Sequence, residues 1–326
     1  MSLAKKIISG DRRALARALT LIEDGDAASE RLLAELHAHG GKAHLVGVTG
    51  APGVGKSTLV NALAQSVRLR GDTVGVLAVD PTSPYSGGAV LGDRIRMRDL
   101  AGDQGIYLRS MATRGALGGL AHATAAAADV LDAAGFDRVV IETVGVGQAG
   151  VEIAANVHTT VVLMAPGSGD DVQAIKAGIL EIADIMVVNK ADLPGAEQTR
   201  AYLRSTLMMG QSARSVAGRP QREQADAPSP GWEVPLLTTV ARVGEGVDAL
   251  MQSLVVHHDY LVGSGELDNR QRQRMRAIVE SRLRNRLYTR LVQQVSQQRF
   301  DALLQAIVAR ETDPYSAVES LMEDLD

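Results

Sequence analysis

The sequence predicts an α/β fold in which a mostly parallel β-sheet is flanked by helices. Short apolar runs recur along the chain, as strands buried on both faces require, and segments with helical periodicity separate them. A glycine-rich segment follows the first apolar run, and a helical pattern follows the glycines. Strands that alternate with helices in this way build a parallel sheet.

The glycine-rich segment reads Gly-Ala-Pro-Gly-Val-Gly-Lys-Ser-Thr and fits the phosphate-loop pattern G-x-x-x-x-G-K-S/T. It stands between a predicted strand at 43–49 and a predicted helix at 59–68. Its glycines let backbone N–H groups approach a phosphate, and the dipole of the helix favours an anion. The lysine would reach the β- and γ-phosphates, and the serine hydroxyl would bind Mg²⁺. The predicted nucleotide-binding residues are Gly50, Ala51, Pro52, Gly53, Val54, Gly55, Lys56, Ser57 and Thr58.

The rest of the sheet and its helices are predicted from the same periodicities. Further strands are expected at 73–79, 105–108, 136–142, 159–164, 184–189 and 234–238. Helices are expected at 14–22, 30–36, 120–134, 172–182 and 247–260. A long polar helix with a narrow apolar stripe follows at 269–298, then two short helices at 300–325. A helix of that kind more often packs on a partner than folds alone.

The tetrapeptide Asn-Lys-Ala-Asp at 189–192 fits N-K-x-D and ends a predicted strand. The Asp192 carboxylate can accept from both N1–H and the 2-amino group of guanine, a donor pair that adenine lacks. Asn189 would fix the loop, and the Lys190 stem would lie over the ring. These residues predict GTP and GDP as the bound nucleotides. A second base-contacting loop is predicted, on a looser match, at Thr238, Thr239 and Val240.

Acidic residues follow several predicted strands, where α/β sheets bind their ligands. Asp80 ends the strand at 73–79, and Asp93 follows a Ser-, Gly- and Pro-rich loop that we interpret as a candidate switch. Glu142 opens Glu-Thr-Val-Gly, an acidic variant of the D-x-x-G element that P-loop GTPases place beside Mg²⁺ and the γ-phosphate.

The residue after Glu-Thr-Val-Gly predicts slow basal hydrolysis. Many signalling GTPases carry a water-orienting Gln at that point, but this chain has Val146, and the nearest Gln is Gln148. We expect a partner to accelerate hydrolysis by ordering the switch loops.

Composition excludes several classes of function. The 326 residues are 45% hydrophobic and 22% charged with a net charge of -4, which gives no reason to expect nucleic acid as a partner. The absence of Cys rules out disulfides and zinc-thiolate sites. The lack of a secretory h-region or a membrane-spanning run predicts a cytoplasmic protein with no membrane contact.

The histidines do not form a pattern that predicts a metal site. His37, His39 and His44 have no ligand spacing that we trust. His257 and His258 are adjacent, so on a helix their side chains diverge by roughly 100°. We expect these histidines to be exposed or to be satisfied within the core.

Three domains are expected from these patterns. They are a helical extension at 1–42, a P-loop GTPase domain at 43–262 and a C-terminal helical arm at 263–326. Residues 211–231 carry no periodicity and are predicted to be an exposed insertion.

Taken together, the sequence resembles the MeaB/ArgK family of P-loop GTPases, the methylmalonyl-CoA mutase-associated G proteins. Beyond the phosphate loop and N-K-x-D, the resemblance depends on Gly-Asp-Arg-Arg-Ala-Leu-Ala-Arg-Ala at 10–18, the strings at 80–84 and 91–94, and Glu-Thr-Val-Gly-Val-Gly-Gln at 142–148. It implies a homodimeric chaperone that binds and hydrolyses GTP. Its client would be an adenosylcobalamin-dependent acyl-CoA mutase of the methylmalonyl-CoA mutase type, whose cofactor loading it gates and which it protects. A cobalamin adenosyltransferase is a further candidate partner.

The resemblance also implies roles for individual residues. Lys56, Asp80, Asp93 and Glu142 would be catalytic, and Ser57, Asp80, Asp93 and Glu142 would surround Mg²⁺. Switch and partner contacts would fall on Gly145, Gln148, Asp170, Asp171, Gln173 and Lys176, and dimer contacts on the C-terminal helices. Ala149 and Gly150 stand where the family usually has Ser-Glu, so a role for an acidic side chain at this point does not carry over to this chain, whereas the GTPase assignment does.

Two alternatives stay open. An ATPase or kinase associated with basic amino-acid transport would bind adenine and meet membrane partners, and N-K-x-D opposes it. A metal-insertion GTPase would commonly carry Cys or His ligand clusters, and the sequence shows no such cluster, which opposes this alternative.

Overall fold

A computed structural model describes residues 1–25, 27–80, 102–112, 119–143, 154–167, 181–216, 231–295 and 297–323. The chain divides into two compact units, 1–272 and 273–326. Within the described ranges, no helix has the length and apolar character needed to cross a membrane.

The first unit is built on a seven-stranded sheet in which every described pairing of strands is parallel. The strand order is β3-β2-β4-β1-β5-β6-β7, so β1 lies at the centre. Every residue of β1, β5 and β6 is buried, as expected when helices cover both faces of a parallel sheet. The predicted α/β class is confirmed. The strands are β1 (His44–Gly50), β2 (Val74–Asp80), β3 (Ile106–Ala112), β4 (Arg138–Glu142), β5 (Thr159–Met164), β6 (Ile185–Asn189) and β7 (Leu236–Thr239).

Helices accompany the sheet in the first unit, and the elements described in the second unit are helices as well. In the first unit they are α1 (Leu3–Ile8), α2 (Arg12–Glu23), α3 (Ala27–Leu36), α4 (Lys56–Leu69), α5 (Gly119–Ala133), α6 (Ala196–Val216) and α7 (Val247–Ser264). The remaining helices are α8 (Glu266–Gln294), α9 (Gln297–Val308) and α10 (Pro314–Glu323). Most of the predicted helices are confirmed. The one predicted at 172–182 falls almost entirely outside the described residues.

Helix α6 enters the segment 211–231, which we predicted to be an exposed insertion without periodicity. The helix extends to Val216. Leu203 is fully buried in a cluster with β5 and β6, and Leu207 packs against the same cluster at helical spacing. This packing anchors the helix, and its polar end continues into the segment. Residues 217–230 lie outside the described part of the chain.

The N-terminal helices contribute to the core of the first unit. Asp11 caps α2, because its Oδ1 accepts from the N–H groups of Arg13 and Ala14 at 2.9 and 3.1 Å. Leu15 and Leu19 on the buried face of α2 belong to the same apolar cluster as residues of α5, β1, β2 and β4. The N-terminal helices therefore share a core with the sheet.

The opposite face of the sheet is covered by α4 and α7. Leu59 and Leu63 of α4 and Leu250 and Leu254 of α7 form one cluster with apolar residues of β1, β2, β4, β5 and β6. Ser66 Oγ also donates to Asp248 across the two helices, over 3.1 Å. Helix α4, which follows the phosphate loop, is thus held by the sheet and by α7.

A buried polar network lies at the amino edge of the sheet. Thr159 Oγ1 lies 2.7 Å from His44 Nε2 and 2.8 Å from His257 Nδ1. Asp184, just before β6, accepts two hydrogen bonds of 2.8 Å from Arg270. His37 and His39 are exposed. We expected these histidines to be exposed or satisfied within the core, and His44 is buried with a hydrogen-bond partner.

The second unit contains residues of α8 after 272 together with α9 and α10. Asp313 Oδ1 accepts from the backbone N–H groups of Tyr315 and Ser316, which caps α10. Arg299 Nη2 donates to Ser320 Oγ over 3.2 Å and joins α9 to α10.

Candidate nucleotide site at the carboxyl edge of the sheet

The glycine-rich segment connects β1 to α4, as the phosphate-loop pattern predicted. Gly50 has φ +154°, and a Cβ there would lie 2.5 Å from the Leu163 carbonyl oxygen. Gly55 has φ +96°, and a Cβ there would collide with Asn189 Nδ2. Side chains at either position would force the loop to shift, which explains the glycines.

Lys56 lies across the loop as the first residue of α4. Its side chain is buried, and Nζ donates to the carbonyls of Gly50 at 2.8 Å and Ala51 at 3.0 Å. The amino end of α4, with its partial positive charge, meets the same loop. The loop, the ammonium group and the helix end together form a site suited to an anionic phosphate chain.

Ser57 and Glu142 are brought into direct contact at the end of β4. Ser57 Oγ donates to Glu142 Oε1 over 2.6 Å, and Glu142 is buried beside β1. A hydroxyl and a carboxylate are the oxygen ligands that Mg²⁺ prefers, so the residues present fit that ion. Asp80 ends β2, the other neighbour of β4, at the same edge of the sheet. Its side chain and the whole of Asp93 lie outside the described part.

Asn189 joins the predicted base loop to the phosphate loop. Its Nδ2 donates to the Val54 carbonyl over 2.8 Å, and its Oδ1 accepts from Thr239 Oγ1 at 3.0 Å and from the Ala241 N–H at 3.1 Å. Lys190 has φ +58°, and its Nζ donates to the Gly53 carbonyl over 2.7 Å. The two motifs, which are more than 130 residues apart in the chain, therefore meet through direct hydrogen bonds.

The strand order explains why these loops meet. β1 pairs with β5, β5 with β6 and β6 with β7, so the residues that follow β1, β6 and β7 share one edge. Thr239 stands opposite Asn189 in the parallel register. Asp192 is exposed three residues further on. Thr238 and Val240 flank Thr239 at the end of β7.

The sequence-based reasoning missed the Ala241 contact. The donor is a backbone N–H, and the identity of an Ala side chain carries no signal for it. The nearest signal was the Thr-Thr-Val string just before it. Several predicted residues stay predictions because they lie outside the described residues, namely Asp93, Gly145, Gln148, Asp170, Asp171, Gln173 and Lys176.

A parallel sheet with a phosphate loop after its central strand and an N-K-x-D loop beside it defines a P-loop nucleotide hydrolase. The model of the family described as methylmalonyl Co-A mutase-associated GTPase MeaB matches residues 15–296, and the chain belongs to this family.

Individual relatives agree with that assignment. A protein of Pyrococcus horikoshii named as a GTPase is 41% identical over 323 residues, which cover 99% of this chain and 97% of that protein. GTPase ArgK of Escherichia coli is 35% identical over 292 residues, which cover 87% of this chain and 85% of ArgK. The crystal structure of LAO/AO transport system kinase matches with a TM-score of 0.71 at 26% identity, over 99% of this chain and 96% of that one.

Proposed function

We propose that this protein binds guanine nucleotides with Mg²⁺, hydrolyses GTP slowly and acts as a chaperone of an adenosylcobalamin-dependent acyl-CoA mutase. The observation that carries the nucleotide part is the side chain of Asn189, which bonds Val54 of the phosphate loop and Thr239 and Ala241 beyond β7. A base and a triphosphate would thus be bound by loops that hold each other in place. The family description supports the mutase part.

Selectivity for guanine is assigned to Asp192. Its carboxylate, exposed beside the loop that Asn189 anchors, can accept from both donors on the guanine edge. Calorimetry with GDP and ADP tests this assignment, and we expect GDP to bind at least about 100-fold more tightly. Equal affinity for ADP would overturn the guanine assignment and favour the transport ATPase.

Asp192→Asn sharpens the test, because it exchanges one acceptor for a donor. GDP affinity is expected to fall, and xanthosine diphosphate, which has a carbonyl in place of the 2-amino group, is expected to bind better than to the wild type. Asp259→Asn is the matched control, since Asp259 is exposed on α7 and far along the chain from the base loop. It is expected to leave both affinities unchanged.

The hydrolytic step is assigned to the residues around the phosphate loop. Lys56 Nζ and the first N–H groups of α4 would bind the β- and γ-phosphate oxygens and stabilise the charge that develops on them. Ser57 and Glu142 would hold Mg²⁺, with Asp80 and Asp93 as further acidic residues. The bound ion neutralises phosphate charge. With Val146 in the usual Gln position, we expect turnover below about 1 s⁻¹ for the protein alone.

The second unit is proposed to form a homodimer. Val279, Leu283 and Leu287 recur every four residues along α8, and each is more than half exposed. Phe300 and Leu304 of α9 are exposed as well. An apolar stripe of this length on a polar helix is typical of a helix that packs on another chain. Light scattering is expected to give the mass of a dimer, and Leu283→Glu that of a monomer, while Arg284→Glu beside the stripe is the control.

The client is tested with a purified cytoplasmic methylmalonyl-CoA mutase, with and without its cobalamin adenosyltransferase. We expect binding of the mutase to differ between GDP and a nonhydrolysable GTP analogue, and cofactor loading to follow the nucleotide state. Lys56→Ala, which removes the ammonium group from the phosphate loop, is expected to abolish that difference. If the mutase binds in neither state, the chaperone proposal fails even where GTP is hydrolysed.

A further inference from the structure

Two threonines join the strand before the phosphate loop to the strand that ends in Glu142. Thr143 Oγ1 donates to Thr49 Oγ1 over 3.0 Å, and the Thr143 N–H donates to the Val48 carbonyl over 3.1 Å. Both threonines are buried, with 1% of each residue exposed. The end of β4 is therefore held to β1 at two points, one through the backbone and one through the side chains.

The hydroxyl bond lies next to both ends of the Ser57–Glu142 contact. Thr143 directly follows Glu142, and Thr49 directly precedes Gly50, where the phosphate loop begins. Ser57 stands at the other end of that loop. The 2.6 Å contact between Ser57 and Glu142 requires the end of β4 and the start of α4 to keep a fixed separation. The Thr49–Thr143 bond ties the end of β4, which carries Glu142, to the end of β1, and so helps to fix that separation.

Packing alone does not require a hydroxyl at this position. Valine has nearly the shape of threonine and shares its preference for strands, and Val48 of β1 and Val140 of β4 are fully buried in the same two strands. A buried hydroxyl is unfavourable unless it is hydrogen-bonded, so its presence next to the carboxylate indicates a role other than filling space.

We propose that Thr143 is a positioning residue that orients the Glu142 carboxylate toward Ser57 and so sets how strongly Mg²⁺ tightens nucleotide binding. The inference rests on the proposed function, in which Ser57 and Glu142 hold the ion. It assigns a role to the second residue of Glu-Thr-Val-Gly.

The test measures the Kd of a fluorescent GDP analogue in EDTA and in excess Mg²⁺. For Thr143→Val we expect the Kd in EDTA to stay within about twofold of the wild type, because Lys56 and Asn189 are untouched. The tightening by Mg²⁺ is expected to shrink about tenfold, the scale of one well-placed hydrogen bond. Thr143→Ser keeps the hydroxyl and is expected to recover the wild-type response. A role in stability alone would change both Kd values together.

Thr124→Val is the matched control, since Thr124 is also buried but lies on α5. It is expected to keep the wild-type response. A folded Thr143→Val protein with the full Mg²⁺ response overturns the proposal. If Thr143→Val does not fold, Thr49→Val removes the hydroxyl that accepts the bond from Thr143. A reduced Mg²⁺ response in Thr49→Val then supports the proposal, and a full response overturns it. A wild-type protein whose GDP affinity ignores Mg²⁺ would instead contradict the proposed function.

Discussion

Asn189 Nδ2 donates to the carbonyl oxygen of Val54 over 2.8 Å, so the base loop and the phosphate loop share a hydrogen bond. Asn189 is 2% exposed, and its carboxamide makes two further bonds to Thr239 and Ala241. Replacing Asn189 removes all three bonds at once, whereas replacing one of its partners removes only one of them. One side chain therefore couples the phosphate loop to the loops that end β6 and β7.

Asn189→Ala is expected to weaken GDP binding at least about tenfold and to lower the midpoint of thermal unfolding, since three hydrogen bonds are lost inside the protein. Titration with a fluorescent GDP analogue and a thermal melt measure the two effects. Thr239→Val removes only one of the bonds and is expected to cost less in both. If the two variants bind GDP alike, Asn189 does not couple the loops.

Gly55→Ala is expected to disturb the same contact from the opposite side. A Cβ at Gly55 would collide with Asn189 Nδ2, and the backbone has φ +96°. Gly53→Ala is a matched control, because Gly53 has φ +81° but no atom within 4 Å of its Cβ position. Strain at positive φ, about 1 kcal/mol, is common to both variants. We expect Gly55→Ala to lose at least about tenfold more GDP affinity than Gly53→Ala. Equal losses would contradict this prediction, because the contact between the new Cβ and Asn189 would then not affect binding.

The strands of the sheet could be predicted because burial on both faces leaves short apolar runs in the sequence. β5 has the bounds that were predicted for it. β3 is longer than predicted, since Arg109 belongs to the strand and pairs with Glu23 of α2 over 2.6 Å. That partner lies far away in the sequence, so local periodicity could not reveal it. β4 begins only at Arg138, although the pattern had placed Phe136 in the strand.

The site was predictable where a sequence motif fixes the residue type. Gly55 and Lys56 of the phosphate-loop pattern and Asn189 of N-K-x-D are examples, and the structure brings these two motifs together. The Thr49–Thr143 bond and the Ala241 N–H were not, since they depend on which strands are neighbours and not on a local pattern. The polar network at the amino edge has the same origin. Thr159 links His44 to His257, and nothing in the spacing of these three residues shows it.

Arg270→Met is expected to destabilise the protein by about 3 kcal/mol at neutral pH, because the buried Asp184 carboxylate loses its cationic partner and the two bonds of 2.8 Å that Arg270 donates to it. Adding Asp184→Asn should recover part of the loss, since a neutral amide costs less to bury. The control is Arg276→Met, which breaks an exposed pair with Glu280 and should cost less than about 1 kcal/mol. Urea denaturation measures all three values, and similar losses for Arg270 and Arg276 would contradict the buried-pair account.

The same pair predicts how stability responds to acid. Burial alone would raise the pKa of Asp184, but bonds from Arg270 and His257 lower the pKa to about 2 from the usual 3.8. Because the folded state binds this proton less readily than the unfolded state, the contribution is complete above pH 3.8 and is lost as the pH falls toward 2. The contribution is about 2 kcal/mol. We expect Asp184→Asn to show a flatter decline of the free energy of unfolding between pH 4 and 2 than the wild type, and parallel declines would refute it.

His44 predicts a separate loss of stability at milder acidity. Burial, together with the neighbouring His258 and His158, holds the pKa of His44 well below the usual 6.5. The unfolded state therefore takes up a proton that the folded state resists, and stability falls as the pH drops below 6.5. His44→Gln can still donate to Thr159 but cannot be protonated, so its free energy of unfolding should change less between pH 7 and 5.5. The exposed His39→Gln is the control and should follow the wild type. If His44→Gln also follows the wild type, the acid sensitivity comes from another group.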